Sequence, residues 1–342
     1  MSDFATLVRV SRLYYELGET QGRIAELLGI TRPQVSRLLK QAREEGIVEI
    51  RIVDRTHDDS PAADELKRRF NLQAVHLAPS VSGSEDLVRR IVARLAAEVF
   101  RSTARDGMVI GVGEGSTASA IADALAETVA PVAATVIPLC GGYWFAGASH
   151  EPFRRIGGAL DASVRGLLAP GLVDDAATKT SLYAHAGVQV ILHLWERLDI
   201  ALFGIGGRVW GDASFGPEIV REIEEGGAVG EVLIAPYDIN GHFLGEGLRE
   251  RTIAFDAREL RKVPVTIGVA GGPSKVEPIL GALMTGAVKV LVTDVVTAEA
   301  VVDLDDRTRA AASVTGGEEL LPADPGAIAI RAVAWQTAGK AR

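Results

Sequence analysis

Apolar positions in the first fifty residues recur at helical spacing. Phe4, Leu7, Val8, Val10, Leu13, Tyr14 and Leu17 mark an amphipathic helix that stops at Gly18, a residue suited to a helix C-terminus. Thr20 is placed to cap a second helix through Ile24, Ala25, Leu27 and Leu28, and Thr31 a third through Val35, Leu38 and Leu39. Pro33 falls in the first turn of that third helix, where its missing N–H costs nothing. Counted from Gln21, the fifth residue is Ala25, the ninth Gly29, and the fifteenth and eighteenth are Val35 and Leu38. Two steeply crossing helices need a small residue at their close approach, a turn glycine that tolerates positive φ, and apolar anchors. The spacing therefore predicts a helix-turn-helix. GIVEIRIV (46–53) then alternates like a short strand and predicts a wing.

The pattern changes after a polar, Pro-containing stretch, DRTHDDSPAAD (54–64), which reads as a linker or helix approach. Continuous apolar runs now alternate with helical stretches: AVHLAP (74–79), MVIGVG (108–113), ATVIPLCGG (134–142), IALFGIGG (200–207), VPVTIGVAGG (263–272) and VKVLVTD (288–294). Val/Ile/Leu runs that end in Gly, Pro or Asp fit strands buried on both faces of a mostly parallel sheet covered by helices. The fold class is thus α/β, with a helix-turn-helix unit over residues 1–55 and a larger unit over 56–342. Residues past about 315 look irregular, and no internal repeat is visible.

Charge sharpens this division. The chain of 342 residues carries 36 Lys+Arg against 45 Asp+Glu, a formal net charge of -9 that argues against a non-specific nucleic-acid coat. Residues 1–55, however, hold 9 Lys+Arg and 8 Asp+Glu, so the acidic surplus belongs to the rest of the chain. Thr31 to Arg43 contains Arg32, Arg37, Lys40 and Arg43 and no acid. With Val35 and Leu38 turned inward, Thr31, Arg32, Gln34, Ser36, Arg37 and Lys40 are candidates to face DNA. Arg32 and Arg37 suit guanine edges, and Ser36 and Lys40 suit phosphate or sugar. No run approaches the ~18 apolar residues that cross a bilayer, and MSDFATLVRV lacks the order of a signal peptide. A single cysteine, Cys140, leaves no intramolecular disulfide. A cytoplasmic protein without a membrane partner is expected.

In parallel sheets ligands bind at the carboxyl ends of the strands, and the unusual chemistry lies there. In GVGEGSTASAIADAL (111–125), Gly113 and Gly115 turn the backbone tightly and Ser116 or Thr117 opens a helix whose N–H groups favour a phosphate. The register is GxGxG, not the GxGxxG of dinucleotide sites, and no GK[ST] follows as in a P-loop. Lys275, from AGGPSK (270–275), and Lys179 are candidate cations. Glu231, from GGAVGE (226–231), and Asp294, from TD (293–294), are candidate acceptors for sugar hydroxyls.

RLYYELGETQGRIAELLGITRPQVSRLLKQAREEGIVEIRI (12–52) resembles the N-terminus of SorC/DeoR-type sugar-binding transcriptional regulators. The order GVGEGST, GIG, GAVGE, AGG..K and TD..TAEA is similar to their effector domain, so the likeness spans roughly residues 4–305. It implies a Rossmann-like effector domain related to sugar-phosphate isomerases and deaminases, a phosphorylated sugar or polyol as effector, operator DNA as partner, and homodimers or homotetramers. Gly113, Gly115, Ser116 and Thr117 match the family's phosphate cradle, Lys275 its lysine and Glu231 its acidic position. Lys179 stands where many relatives carry arginine, which removes a bidentate clamp. The aromatic segment GGYWFAGASHEPF (141–153) matches no family motif and is a candidate pocket wall.

The competing reading is a sugar-phosphate isomerase or deaminase with a helical extension, since fold alone does not decide function. Against it, GIGG (204–207) is followed by RVWGDASF rather than the His-rich and Asn-Glu loop of the deaminases. His185, His193 and His242 belong to no acid–base pair that spacing suggests. A metal site is also unsupported: the six histidines show neither HxxxH nor HExxH spacing. No catalytic residue, metal or cofactor is expected.

Overall fold

The computed structural model describes residues 4–48, 60–80, 83–126, 131–142, 151–208 and 215–315. The chain divides into two compact units, Met1–Thr56 and His57–Arg342. The strand expected for a wing (49–53), most of the aromatic segment (143–150) and the tail past 315 lie outside the described residues.

In the smaller unit, α1 (Phe4–Ser11) runs into a single π-helical turn, Arg12–Glu16, before Gly18 at φ +70° ends it. Helix α2 (Gln21–Leu28) starts where the Thr20 hydroxyl accepts the N–H of Arg23 at 3.2 Å, and it closes at Gly29, left-handed at φ +63°. Helix α3 (Arg32–Glu44) follows at once. Val10, Ile24, Ala25, Val35 and Leu39 form the buried core, with Leu13, Tyr14 and Leu38 packed against it. Ala25, Gly29, Val35 and Leu38 thus occupy the close approach, the turn and the anchors that their spacing predicts.

The larger unit is a three-layer α/β/α structure. Its elements are α4 (Pro61–Phe70), β1 (Ala74–Ala78), α5 (Glu85–Thr103), β2 (Val109–Val112), α6 (Ser116–Ala126), β3 (Thr135–Pro138), α7 (Pro152–Ala159) and β4 (Ser163–Val164). These are followed by α8 (Ala176–Ala184), α9 (Ala186–Trp195), β5 (Ile200–Gly204), α10 (Pro217–Glu225), β6 (Ala228–Val232) and β7 (Ala235–Asp238). The remainder is α11 (Glu246–Arg251), β8 (Val265–Val269), α12 (Val276–Met284), β9 (Val290–Asp294) and α13 (Val295–Thr315). Seven strands form one sheet in the order β1-β9-β8-β5-β2-β3-β4, with every pairing parallel.

All six apolar runs supply strands of this sheet. Alternate residues serve opposite cores: Val290 and Val292 belong to the core that α5 and α6 cover, whereas Leu291 belongs to the core that includes α4, α12 and α13. That double burial is why the runs are continuous rather than alternating. The seventh strand, β4, is two residues long and too short to leave a period. The hairpin β6–β7 stands apart as a second, antiparallel sheet.

The connectivity matters more than the count. From β2 the chain moves outward through β3 and β4, and from β5 it moves the other way through β8 and β9. The topological switch point therefore lies between β2 and β5, which are hydrogen-bonded neighbours. Open α/β sheets hold ligands in the crevice at such a point.

Candidate functional site

The residues after β2 and β5 meet at this crevice. Gly115, at φ +110°, turns the chain so that Ser116 and Thr117 open α6. The first N–H groups of a helix have no intrahelical acceptor and carry its positive dipole end. On the β5 side, the glycines of GIGG leave space that neighbours fill. A Cβ on Gly204 would stand 3.0 Å from Cβ of Thr117, one on Gly206 would collide with the Glu231 carboxylate, and one on Gly207 would touch Nζ of Lys275 at 3.5 Å. Three candidates from three motifs thus converge on residues 204–207. Glu231 is further fixed by paired backbone bonds with Gly206, at 2.9 and 3.2 Å.

The cavity there measures about 560 Å³, and Ser116, Thr117, Gly207, Gly271, Ser274 and Lys275 are among its lining residues. Its electrostatics are set by burial. The Lys275 ammonium is pushed below the usual lysine range by burial; Glu231 and Glu85 oppose this shift and Arg89 adds to it. The Glu231 carboxyl is pushed up by burial, against the Ile234 N–H bond and Lys275, which favour its ionised form. Among the described residues Lys275 has no carboxylate within ion-pair distance, so its charge is available to an anion. Beside the cradle, burial and then Glu151 raise the Glu114 carboxyl to about 7.

Other candidates stand elsewhere. Gly113 donates its N–H to the Leu202 carbonyl at 2.8 Å, so that group is not free for phosphate; the glycine is required because a Cβ would lie 3.1 Å from Cβ of Phe203. Asp294 is buried, and its oxygens accept from the N–H of Gly272 (2.9 Å), the N–H of Thr297 (2.9 Å) and the Thr297 hydroxyl (2.5 Å). It secures the loop that carries Lys275 instead of offering oxygens to a ligand. Lys179 does not line the cavity: its ammonium donates to the Arg249 carbonyl at 2.8 Å and stands 5.3 Å from the centre of the Tyr183 ring.

The structure adds wall residues that no motif marks. Glu85 and Arg89 come from the first turns of α5, and Arg208 and Glu277 form a 3.0 Å ion pair at the rim. Arg89 belongs to an ordinary amphipathic helix pattern, so only the tertiary placement of α5 exposes its part in the cavity. Among the described residues, no three His, Cys, Asp or Glu side chains converge to hold a metal.

In the smaller unit, Arg32, Gln34, Ser36, Arg37 and Lys40 all lie on the exposed side of α3, opposite the buried Val35 and Leu39. Thr31 and Gln34 are committed to each other: Oε1 of Gln34 accepts the Thr31 backbone N–H (2.8 Å) and its hydroxyl (2.9 Å). With Oε1 spent on the cap, Gln34 can offer a base its Nε2 donors, and a bidentate contact requires giving up the cap. Lys40 lies 3.5 Å from Glu44, an exposed pair that DNA phosphate can displace at little cost.

Comparison with known proteins agrees with both units. The family model described as "Putative sugar-binding domain" matches residues 54–303, and a Crp-like helix-turn-helix domain matches 5–57. The chain is 29% identical to the sorbitol operon regulator of Klebsiella pneumoniae over 307 residues, covering 87% of this chain and 97% of that one. It is 30% identical to the deoxyribonucleoside regulator of Bacillus subtilis over 304 residues, covering 86% and 96%. The solved full-length structure of the Klebsiella regulator SorC superposes with a TM-score of 0.71 at 28% identity, covering 88% of this chain and 99% of that one. These relatives are named as regulators, not as enzymes. With a helix-turn-helix, a parallel-sheet sugar-binding unit and near end-to-end likeness to such proteins, this chain belongs to the SorC/DeoR-type family of sugar-binding transcriptional regulators.

Proposed function

We propose that this chain binds double-stranded operator DNA through α3 and that a small phosphorylated sugar or polyol, held at the β2–β5 switch point, controls that binding. The observation that carries the reading is the meeting of the α6 N-terminus, through Ser116 and Thr117, with the Lys275 ammonium in one cavity. A helix N-terminus supplies directed N–H donors and a favourable dipole, and a lysine supplies a point charge; together they suit a phosphate. Glu231 stands behind Gly206, outside the cavity lining and bonded to the Ile234 N–H, and the acceptors for hydroxyls are Glu85 and Glu277, which do line the cavity. Relatives named for sorbitol and deoxyribonucleosides fit a polyol or pentose scaffold.

Residues 1–55 serve as the reader of DNA and 56–342 as the reader of effector and the assembly unit. The working form is a cytoplasmic homodimer or homotetramer, since two-fold operators need at least two recognition helices. Effector occupancy biases how the larger units pack, and so sets the spacing of the recognition helices. Among the described residues no helix is long and apolar enough to cross a membrane.

A thermal-shift panel of sugar and polyol phosphates, each beside its unphosphorylated form, tests the reading. A ligand at a hundredfold excess over Kd adds about 2.7 kcal/mol to apparent stability. Shifts confined to phosphorylated compounds are expected, and equal shifts with the free sugars would overturn the phosphate assignment.

A further inference from the structure

We infer that Arg69 is a positioning residue: through Asp305 it locks α4, which leads from the DNA-reading unit, to α13, which leads from the effector cavity, and so links the two. This rests on the proposed control of DNA binding from the cavity. The inference comes from two apolar stripes that both end in a charge. On α4, Ala62, Leu66 and Arg69 fall at i, i+4 and i+7; on α13, Ala298, Val301 and Asp305 fall at i, i+3 and i+7. Ala62, Leu66, Ala298 and Val301 belong to one buried core, and α4 packs on α13. Where each stripe calls for another apolar residue stand Arg69 and Asp305, whose side chains are only 12% and 5% exposed. Nη1 of Arg69 lies 2.7 Å from Oδ2 of Asp305 and 2.7 Å from Oδ1 of the exposed Asp306. Its Nε donates to Glu65 on its own helix at 2.6 Å, and Arg309 gives Asp305 a second cation at 2.8 Å.

A buried ion pair gains little over an apolar pair of similar volume, because both charges lose their water. Its physical value lies in registry. Packed apolar faces can slide, whereas a guanidinium fork that has to meet carboxylates on a second helix cannot. The placement gives that registry a use. Helix α13 opens directly after Asp294, and the hydroxyl of Thr297 in its first turn accepts the Gly272 N–H, in the loop that carries Lys275. From Thr297 to Asp305 the helix is continuous, a rise of about 12 Å. A shift of the cavity loop on anion binding is therefore passed to the helix that holds Arg69. At the other end, α4 is the first described element after the helix-turn-helix unit, and it packs on β1 and α13.

The test is the operator affinity of the full-length chain, with and without saturating sorbitol 6-phosphate, ribose 5-phosphate or fructose 6-phosphate, in wild type and two variants. Arg69→Met/Asp305→Leu replaces the pair by apolar side chains of similar size, a change that buried pairs tolerate. Glu65 keeps Arg68 as its partner, and Asp306 and Arg309 stay exposed to water. Asp305→Asn removes one charge alone and carries the test if the double variant does not fold. Wild type is expected to change its operator Kd at least about tenfold with the best of the three compounds. In each folded variant that change should shrink to about threefold or less, with calorimetric effector affinity within about threefold of wild type. By reciprocity, operator DNA should then cease to alter effector affinity. A merely structural pair would lower Tm and leave the response intact, so a variant that responds by more than about threefold overturns the inference. Loss of effector binding overturns it as well, because the pair would then support the cavity and not the link. If wild type responds to none of the three compounds, the proposed control itself fails and the inference falls with it.

Discussion

The carboxylate of Asp294, at the end of β9, accepts a hydrogen bond from the backbone N–H of Gly272 at 2.9 Å, in the loop that carries Lys275. The Thr297 hydroxyl takes the same N–H at 2.8 Å and donates to Asp294 at 2.5 Å, which closes a small buried network. Gly272 sits at φ +98°, a conformation few other residues adopt, so the network holds a backbone turn in place. Asp294→Ala leaves two buried donors unpaired and is expected to cost about 1–3 kcal/mol for each group left unsatisfied. Urea denaturation should show that loss, and effector affinity should fall with it because Lys275 loses its anchor.

Glu114 gives a pH dependence of unusual sign. Its carboxyl is raised from 4.5 to about 7 in the fold. Between these values the unfolded chain has released its proton while the folded chain still holds it. Stability therefore falls as pH rises through this window and levels off above about 7. Glu114→Gln removes the ionisation and should raise Tm relative to wild type at pH 8, with the gain vanishing towards pH 4. A variant that melts below wild type at pH 8 would show that the carboxylate is stabilised there instead.

The exposed side of α3 carries the DNA prediction. Arg32→Ala and Arg37→Ala should each weaken operator binding by about 1–3 kcal/mol if bidentate to a base, or lower the salt slope by about one if bound to phosphate. Neither should change Tm or effector affinity, because both side chains are exposed on a separate unit. Fluorescence anisotropy across a salt series separates the two kinds of contact. Gln34→Ala differs in kind: it removes half of the Thr31–Gln34 cap and should cost about 0.5–2 kcal/mol of helix stability as well.

The two candidate lysines should behave oppositely. Lys275→Ala removes the unpaired cation from the cavity and should weaken phosphorylated ligands at least about tenfold, the scale of a charge-assisted hydrogen bond. Lys179→Ala loses only its bond to the Arg249 carbonyl and its place near Tyr183, so ligand affinity should stay near wild type. Parallel calorimetric titrations of both variants decide between the lysines.

Much of this arrangement is legible in the sequence where one residue has one local job. Thr20, Gly29 and the apolar anchors dictate the helix-turn-helix through caps, a positive φ and helical spacing. The continuous strands announce a two-faced parallel sheet. Illegible are features that depend on which distant atoms arrive. Asp294 looks like a free acceptor until Thr297 and Gly272 occupy it. Gly113 looks like part of a cradle until its N–H joins Leu202. Arg89 reaches the cavity only because α5 packs against α6 and the ends of β8 and β9, and Arg208 because the residues after β5 lie beside Glu277 of α12. The β6–β7 hairpin turns through Leu233 and Ile234, both at positive φ and without the Asn or Gly that marks such turns. There the Glu231 carboxylate accepts the Ile234 N–H at 2.8 Å and supports a turn that its own residues disfavour.

The most direct test of sugar-phosphate control is the affinity of the full-length chain for its operator, selected from a random DNA pool, with and without saturating monophosphate. Wild type should show a change of at least about tenfold in Kd, equal to about 1.4 kcal/mol of coupling. Lys275→Ala should bind the operator but lose the response. Operator affinity that stays constant while calorimetry shows the cavity filled would contradict the claim that this site governs DNA binding.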